Sequence, residues 1–248
     1  MQDVTDIYSG FAAVYDELMK NDIDYDGLCD MIERLFRENG KGIDLVADLA
    51  CGTGAVTSRL AKRGYDMTGI DASVEMLDLA RKKDEKSLYL NQDITEFELY
   101  GTMDAILCMT DGFNYITEED SLRQCFFLAN NYLNPGGLFL FDMSSPYKLS
   151  QLLGNNTFVY DDGSVFYTWE NTYEEDDALS ISDITFFLKD KNVYRRADEE
   201  HIQRAWEEKS VCSFLKEAGF SRIRTFSDLN GSPVKLSSER IYYCCEKI

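Results

Sequence analysis

Two glycines and one later carboxylate have the spacing of a site that could hold a nucleotide. Gly52 and Gly54 follow residues 43–49, an apolar run with the length and composition of a buried strand. Glycine lets the main chain turn sharply, and it lets a ligand approach without a side chain in the way. Asp71 follows about 20 residues after the first glycine, where a carboxylate can accept both hydroxyls of a ribose. The pattern therefore predicts a ribose site at the ends of two neighbouring strands.

A helix is predicted directly after this turn, and Thr57 occupies the place of the third glycine in the dinucleotide-binding pattern G-x-G-x-x-G. That departure disfavours a nicotinamide cofactor, which stays open as a rival interpretation. The next apolar run, residues 65–70, predicts a second strand that ends at Asp71. Ser73 can then cap a helix that carries Glu75 in its first turn. Two linked strand–turn–helix units thus place glycines and a carboxylate at one edge of a sheet.

These two segments resemble the class I S-adenosylmethionine (SAM)-dependent methyltransferases. The resemblance rests on DLACGTG at residues 48–54 and on GIDAS at residues 69–73, and it is strong over residues 44–144. It implies S-adenosyl-L-methionine as the cofactor and S-adenosyl-L-homocysteine as the product. The expected reaction is in-line transfer of the sulfonium methyl, in a closed pocket, to a nitrogen or oxygen of a small molecule. Sugar-amine and glycine-type N-methyltransferases are the most similar classes.

The resemblance also implies a set of cofactor contacts. Asp48 would organise the methionine end, Asp93 would accept the exocyclic amine of adenine, and Thr110 would lie beside the transferred methyl. A turn-forming or capping role is the alternative for Asp93. Packing in the core is the alternative for Tyr8 and Tyr15, which could also contact the cofactor. The expected cofactor-binding residues are Tyr8, Tyr15, Asp48, Ala50, Gly52, Gly54, Asp71, Ala72, Met76, Asp93, Ile94 and Thr110.

Few residues are candidates for acid–base chemistry, which becomes useful when the acceptor is a protonated amine or a hydroxyl. The candidate catalytic residues are Tyr15, Asp111 and His201. Asp111 could steer an amine. His201 is the single histidine of the chain, although its place near the expected start of a helix also fits a surface or structural role. With one histidine and no C-x-x-C pair, no metal site is expected.

The elements that must position these residues alternate between strands and helices, which predicts an α/β fold. We expect a Rossmann-like, seven-stranded, mostly parallel sheet with helices on both faces. Helices are predicted within residues 3–39, ahead of the first strand, and a later amphipathic helix is predicted over residues 201–218. The expected strands are residues 43–49, 65–70, 86–92, 103–109, 138–143, 222–226 and 239–248.

After residue 146 the hydrophobic period changes to two, which is typical of antiparallel strands. Such runs are separated by charged turns at residues 161–163, 174–177 and 190–192. We therefore expect residues 145–205 to form an inserted antiparallel β flap that covers the substrate. Residues 1–144 and 206–248 would then form the SAM-binding domain, with an N-terminal helical lid.

The net charge of −20 disfavours a nucleic-acid partner, because such a surface repels phosphates. The acidity could simply keep the protein in solution, or it could attract a cationic amine. No apolar run has transmembrane length, and the first residues lack the pattern of a signal peptide, so a cytoplasmic monomer or homodimer without a membrane partner is expected. Two alternatives remain open: a protein that binds SAM without catalysis, and an enzyme that methylates a protein side chain.

Overall fold

The computed structural model describes residues 23–190 and 193–248, and every structural statement below concerns this part of the chain. Two short helical turns, Gly112–Tyr115 (3₁₀) and Lys148–Leu153 (π), accompany the regular elements. The helices are α1 (Tyr25–Asn39), α2 (Ala55–Lys62), α3 (Val74–Lys83), α4 (Glu119–Tyr132) and α5 (Glu208–Glu217). The strands are β1 (Leu45–Leu49), β2 (Asp66–Asp71), β3 (Leu88–Asn91), β4 (Met103–Cys108), β5 (Leu133–Ser144), β6 (Thr157–Asp161), β7 (Val165–Glu174), β8 (Leu179–Asp190), β9 (Val193–Arg204), β10 (Phe220–Phe226) and β11 (Arg240–Lys247).

The main sheet has seven strands in the order β10-β11-β5-β4-β1-β2-β3. Pairing is parallel from β5 to β3, and only β11 runs antiparallel to both of its neighbours. This confirms the predicted mostly parallel sheet. Because parallel strands share their direction, β1, β2, β4 and β5 all end at one edge. The strand-end edge is therefore where their following turns meet, which is the usual ligand position in α/β sheets.

Alternate residues of the central strands enter separate cores on the two faces of the sheet. In β4, Ile106 packs with the layer of α4 and α5, whereas Leu107 packs with the layer of α1 and α2. The first layer is rich in aromatic rings, and Phe141 stacks on Tyr243 with ring centroids 4.5 Å apart. Fully burying one such side chain contributes about 1.5–3 kcal/mol. Helices on both faces thus hold the strand-end edge in place.

A second sheet, in the order β6-β7-β8-β9, is antiparallel throughout. Its strands and turns follow the period-2 pattern predicted from the sequence. The prediction of a helix from residue 201 is wrong, however, because β9 continues to Arg204 and α5 begins only at Glu208. All twelve residues of β9 pair with β8, which gives partners to the backbone groups that point towards β8. His201 therefore lies within a strand.

Another boundary also differs from the sequence prediction. The sequence predicts a strand over residues 138–143, directly after the Pro-Gly-Gly of residues 135–137. In the structure β5 already begins at Leu133, which pairs with Met103 of β4. A register shift between Met103 and Ala105 accommodates the irregular residues.

A seam of hydrogen bonds joins the second sheet to the main sheet. The side chain of Asn114 donates to the carbonyl oxygens of Ser144 (3.1 Å) and Arg204 (2.9 Å). In return, the N–H of Ser144 donates to the side-chain oxygen of Asn114 at 2.9 Å. Trp206 adds a bond from its indole N–H to the carbonyl of Ile116 at 3.0 Å. The end of β9 is thereby fixed beside the 3₁₀ turn that follows β4.

Candidate active site

The two glycines after β1 serve different purposes. Both have left-handed backbone angles, with φ of 53° at Gly52 and 69° at Gly54. A Cβ added at Gly54 would lie 2.9 Å from the Cβ of Ala80 and 3.0 Å from the hydroxyl of Tyr89, so this glycine permits close packing. A Cβ at Gly52 would meet no heavy atom within 4 Å. Open space therefore lies beside the main chain at Gly52, where a ligand can approach it.

Asp71 ties the end of β2 to this corner. Its carboxylate accepts the N–H of Gly52 at 2.7 Å and the N–H of Ser73 at 2.9 Å. Burial raises the pKa of Asp71, and the two N–H groups oppose that shift. Asp71, the residue predicted to bind the ribose, thus lies beside Gly52 of the predicted glycine turn.

Asp48, at the end of β1, is 2% exposed and accepts a 2.5 Å hydrogen bond from the Thr57 hydroxyl. Burial raises the pKa of Asp48 to about 6, although the Thr57 bond opposes the shift. Sequence reasoning treated Thr57 only as a missing glycine and did not find this pairing. The nine-residue separation spans a turn whose geometry the sequence does not specify.

The remaining cofactor-binding candidates lie along the same edge. One carboxylate oxygen of Asp93, just beyond β3, accepts two 2.8 Å hydrogen bonds, from the N–H and the hydroxyl of Thr95. That is the capping role considered as the alternative, and it leaves the other carboxylate oxygen for a ligand. The carbonyl of Ala72 accepts from Asn91, the carbonyl of Ile94 accepts from the Cys125 thiol, and Met76 is buried on α3. Tyr8 and Tyr15 lie outside the described residues.

A second strained corner follows β4. Thr110 and Asp111 have φ of 64° and 58°, and Ala50 across from them has φ of 50°. A left-handed backbone at a β-branched residue costs roughly 1–3 kcal/mol. Asp142, at the end of β5, holds this corner by accepting the N–H of Thr110 (2.7 Å) and the N–H of Asp111 (3.1 Å). The strain is thus stabilised by one buried carboxylate.

Arg240 links the carboxylates of Asp111 and Asp142. Its guanidinium lies 2.8 Å from Asp111, whose other oxygen accepts a 3.0 Å bond from Gln203 of β9. Burial alone would raise the pKa of Asp111, but Arg240 and Lys148 outweigh it and lower the pKa to about 2. Asp111 therefore stays ionised near neutral pH, and both of its carboxylate oxygens have partners, Arg240 and Gln203.

A cavity of about 240 Å³ opens beside the Thr110 corner. Residues from β5 and β11, from the turns after β4 and β10, and from the start of α1 line it: Ile23, Asp24, Leu28, Thr110, Asp142, Leu229, Arg240 and Tyr242. Of these, sequence reasoning had named only Thr110. Asp142 ends an apolar strand just as Asp71 does, and that shared position was the signal that could have found it.

His201 lies on the face of β9 that points to the 3₁₀ turn. Its Nδ1 is 3.1 Å from the hydroxyl of Tyr115, and its Nε2 is 3.3 Å from a carboxylate oxygen of Glu199. His201 and Glu199 are only 7% and 8% exposed. Two residues further along the same strand face, Gln203 contacts Asp111. The structure therefore connects both of the described catalytic candidates to one row of β9 side chains.

Comparison with known proteins gives a consistent result. The profile of a methyltransferase domain matches residues 46–137. YqeM of Bacillus subtilis (strain 168), whose name describes it as a methyltransferase, is 35% identical over 245 residues, which is 97% of each chain. The chain belongs to the SAM-dependent methyltransferase family.

Two further relatives bear on this methyltransferase. The crystal structure of a SAM-dependent methyltransferase from Clostridium acetobutylicum ATCC 824 superimposes with a TM-score of 0.90 at 38% identity, covering 97% of this chain and 98% of that one. The glycine/sarcosine N-methyltransferase of Aphanothece halophytica is 24% identical over 236 residues, or 88% of this chain and 81% of that protein. SAM is therefore the cofactor of this methyltransferase.

Residues 23–190 and 193–248 contain no helix that is long and apolar enough to cross a membrane. In the same residues, no three His, Cys, Asp or Glu side chains are grouped as metal ligands.

Proposed function

We propose that this methyltransferase acts on a nitrogen or oxygen of a small molecule, held at the strand-end edge beside Thr110. The observation that carries the proposal is the cavity of about 240 Å³ at this place, which has room for a small molecule and whose lining includes the buried side chains of Leu28 and Asp142. The amine substrates named for the Aphanothece relative support the same class. An open groove for a protein segment would favour the alternative of protein methylation.

The strand-end edge offers what SAM requires. Space beside Gly52 admits the cofactor to the main chain, and the carboxylate of Asp71 next to it would accept the ribose hydroxyls. Asp48 would organise the methionine end, Asp93 would accept the adenine amine, and Thr110 would lie beside the methyl. When bound, SAM supplies a methyl group that is already activated by its sulfonium charge.

The chain's own contribution is to position the acceptor and to exclude water. Alignment of two reactants can lower a barrier by roughly 7–11 kcal/mol. The corner at Thr110 and Asp111 is fixed by Asp142, and Gln203 fastens β9 to the same corner. Methyl transfer would therefore occur in a rigid site that β9 closes on the side of this corner.

Titration calorimetry with SAM tests the cofactor site. We expect Asp71→Ala and Asp71→Asn to weaken SAM binding at least about tenfold, since each removes an acceptor charge at the ribose. The matched control is Asp66→Asn, at the exposed start of the same strand, which should bind SAM as the wild type does. Unchanged affinity in both Asp71 variants would refute the site.

Labelled SAM offered with a pool of amines and hydroxy acids tests the acceptor class. Formation of S-adenosylhomocysteine with a small acceptor is the expected result. Labelling of proteins alone would replace the proposal by protein methylation, and binding of SAM without any turnover would favour a non-catalytic role.

A further inference from the structure

We propose that Asp24 and Tyr242 hold an ammonium group of the methyl acceptor in the cavity beside Thr110, and that a second atom of the same molecule receives the methyl. This inference rests on the proposed function, because it names the substrate class of the same site. The acceptor is then a small cation with an apolar part and a separate nitrogen or oxygen nucleophile.

The first support is the carboxylate of Asp24, which borders the cavity and is exposed. As the N-cap of α1, Asp24 accepts the N–H of Gly27 through one oxygen, at 2.9 Å. In the part of the chain that the structure describes, its other oxygen has no hydrogen bond or ion pair. Asp26, two residues further along, is by contrast paired with Arg59 at 3.1 Å. The second oxygen of Asp24 is therefore able to accept a hydrogen bond from a ligand.

The second support is the hydroxyl of Tyr242 in the cavity wall. The ring of Tyr242 stacks on Phe226, with centroids 5.7 Å apart and an angle of 8° between the planes, so the side chain is held in place. Burial raises the pKa of Tyr242 to about 12, which keeps its hydroxyl protonated near neutral pH. Among the described residues, none forms a hydrogen bond with this hydroxyl. An ammonium has N–H donors and no acceptor, so it matches both the phenol oxygen and the carboxylate of Asp24.

The third support is the charge of the cavity lining. Three of the lining side chains are charged: Asp24, Asp142 and Arg240. Arg240 pairs with Asp142, so the negative charge of Asp24 remains. Behind this wall, Asp111 and Lys148 have opposite charges and lie near enough to act on one another. Together with the net charge of −20 for the whole chain, this arrangement attracts a cation and repels a carboxylate or phosphate.

The fourth support is the apolar part of the lining, which consists of Ile23, Leu28 and Leu229. Arg34 of α1 donates to the carbonyl oxygen of Leu229 at 2.8 Å. This bond ties the turn after β10 to α1, so that the two apolar walls stay together. They enclose a place for the aliphatic part of the acceptor.

The assignment of a second reacting atom follows from the chemistry of the bound ammonium. A carboxylate favours the charged form of a neighbouring amine, and an ammonium has no lone pair that could take a methyl group. The nucleophile is therefore another N–H or O–H group of the same molecule. Its lone pair bonds to the methyl carbon, the electron pair of the carbon–sulfur bond goes to sulfur, and the proton of the nucleophile leaves to water.

Binding of n-butylammonium tests the cavity without turnover. In protein saturated with S-adenosylhomocysteine, we expect it to bind at least about tenfold more tightly than butyrate or 1-butanol in nuclear magnetic resonance titrations at constant ionic strength. Asp24→Asn keeps the helix cap, since asparagine caps equally well, and should weaken n-butylammonium binding about tenfold. Asp26→Asn removes the same charge two residues away and should leave the binding unchanged. Equal binding of butyrate and n-butylammonium, or equal effects of the two substitutions, would overturn the proposal.

Kinetics with diamines and amino alcohols provide the second test. Asp24→Asn should raise KM for an accepted substrate about tenfold, and Tyr242→Phe should raise it about threefold to tenfold, with kcat and SAM affinity unchanged. Asp26→Asn should change none of these quantities. A loss of SAM affinity in Asp24→Asn would mean that the cavity holds the amino group of SAM itself, which would overturn the proposal.

Two further outcomes separate this inference from the proposed function. n-Butylamine should compete with the acceptor and receive no methyl, so its methylation would refute the separate nucleophile. Turnover with hydroxy acids alone would contradict the cationic acceptor and leave the proposed function intact. Labelling of proteins alone would contradict the proposed function, whereas the n-butylammonium titration would still decide whether the cavity binds a cation.

Discussion

The strand-end edge of the main sheet and the inner face of the second sheet both contain buried polar side chains, but they use them differently. At the edge, Asp71 and Asp142 accept hydrogen bonds from backbone N–H groups of the turns. On the second sheet, polar side chains contact other side chains: Ser182 donates to Asn171, and His201 contacts Tyr115 of the 3₁₀ turn.

This difference separates two tasks. A carboxylate that holds backbone N–H groups fixes the path of the main chain, whatever side chains the turn carries. Contacts between side chains change with each substitution and leave the backbone pairing intact. On the proposed function, the fixed backbone of the edge would hold the cofactor, and the side chains of the second sheet would be free to vary with the acceptor.

The largest expected effect comes from breaking the edge at Asp142. Asp142→Ala leaves Arg240 without one of its buried partners and frees two N–H groups, so the free energy of unfolding should fall by about 3–5 kcal/mol. Urea denaturation measures this loss. Asp66→Ala, at an exposed carboxylate, should change stability by less than about 0.5 kcal/mol. An equally small change at Asp142 would show that the corner does not depend on it.

The two glycines provide a comparison within the edge. Gly54→Ala places a Cβ against Ala80 at a left-handed position and should cost about 1–3 kcal/mol of stability. Gly52→Ala meets open space, so its cost should be limited to the backbone strain of about 1–2 kcal/mol. SAM affinity should nevertheless fall more in Gly52→Ala, as calorimetry can measure. The reverse order of affinities would mean that the cofactor does not approach Gly52.

The carboxylates of the strand-end edge should also give the stability of the protein a distinct pH dependence. The pKa of Asp48 is raised to about 6, so the folded protein binds this proton more tightly than the unfolded chain and stability falls as pH rises from about 4 to about 6. Asp111, with its pKa lowered to about 2, acts in the opposite sense and loses its contribution as pH falls from about 4 towards 2. Asp48→Asn should make the decline between pH 4 and 6 shallower in denaturation curves, whereas Asp66→Asn should keep it.

The smallest expected effect is on the second sheet. Ser182→Ala removes one hydrogen bond to Asn171 and should cost about 1 kcal/mol of stability. SAM affinity should be the same as in the wild type. A loss of SAM affinity comparable to that of Gly52→Ala would show that SAM binding depends on the second sheet as well as on the strand-end edge.

The sequence allowed prediction of those parts of the site that depend on neighbours in the chain. The glycine turn at residues 48–54 and the strand end at Asp71 follow from local spacing, because each lies directly at the end of an apolar run, although the Asp48–Thr57 bond across the turn does not. Asp142 and Arg240 were missed because their contact joins strands 98 residues apart. That contact depends on β11 lying beside β5, which no local pattern specifies.

The sequence did not predict that His201 and Glu199 lie on a buried strand face, for a different reason. The segment from residue 201 has apolar residues at helical spacing, which predicted an amphipathic helix with His201 near its start. The same spacing also fits a strand, and pairing with β8 decides between the two. One face of that strand is buried, so Glu199 and His201 lie inside the protein and not on its surface.

The seam at Asn114 limits how molecules can reach the site. Because this amide bonds both Ser144 and Arg204, and Trp206 bonds Ile116, the base of the second sheet cannot swing away without losing all of these bonds at once. On the proposed function, we therefore expect substrate and product to pass away from this seam, on the side of the cavity that Ile23 and Asp24 border. Side chains at the start of α1 would then influence substrate uptake and product release.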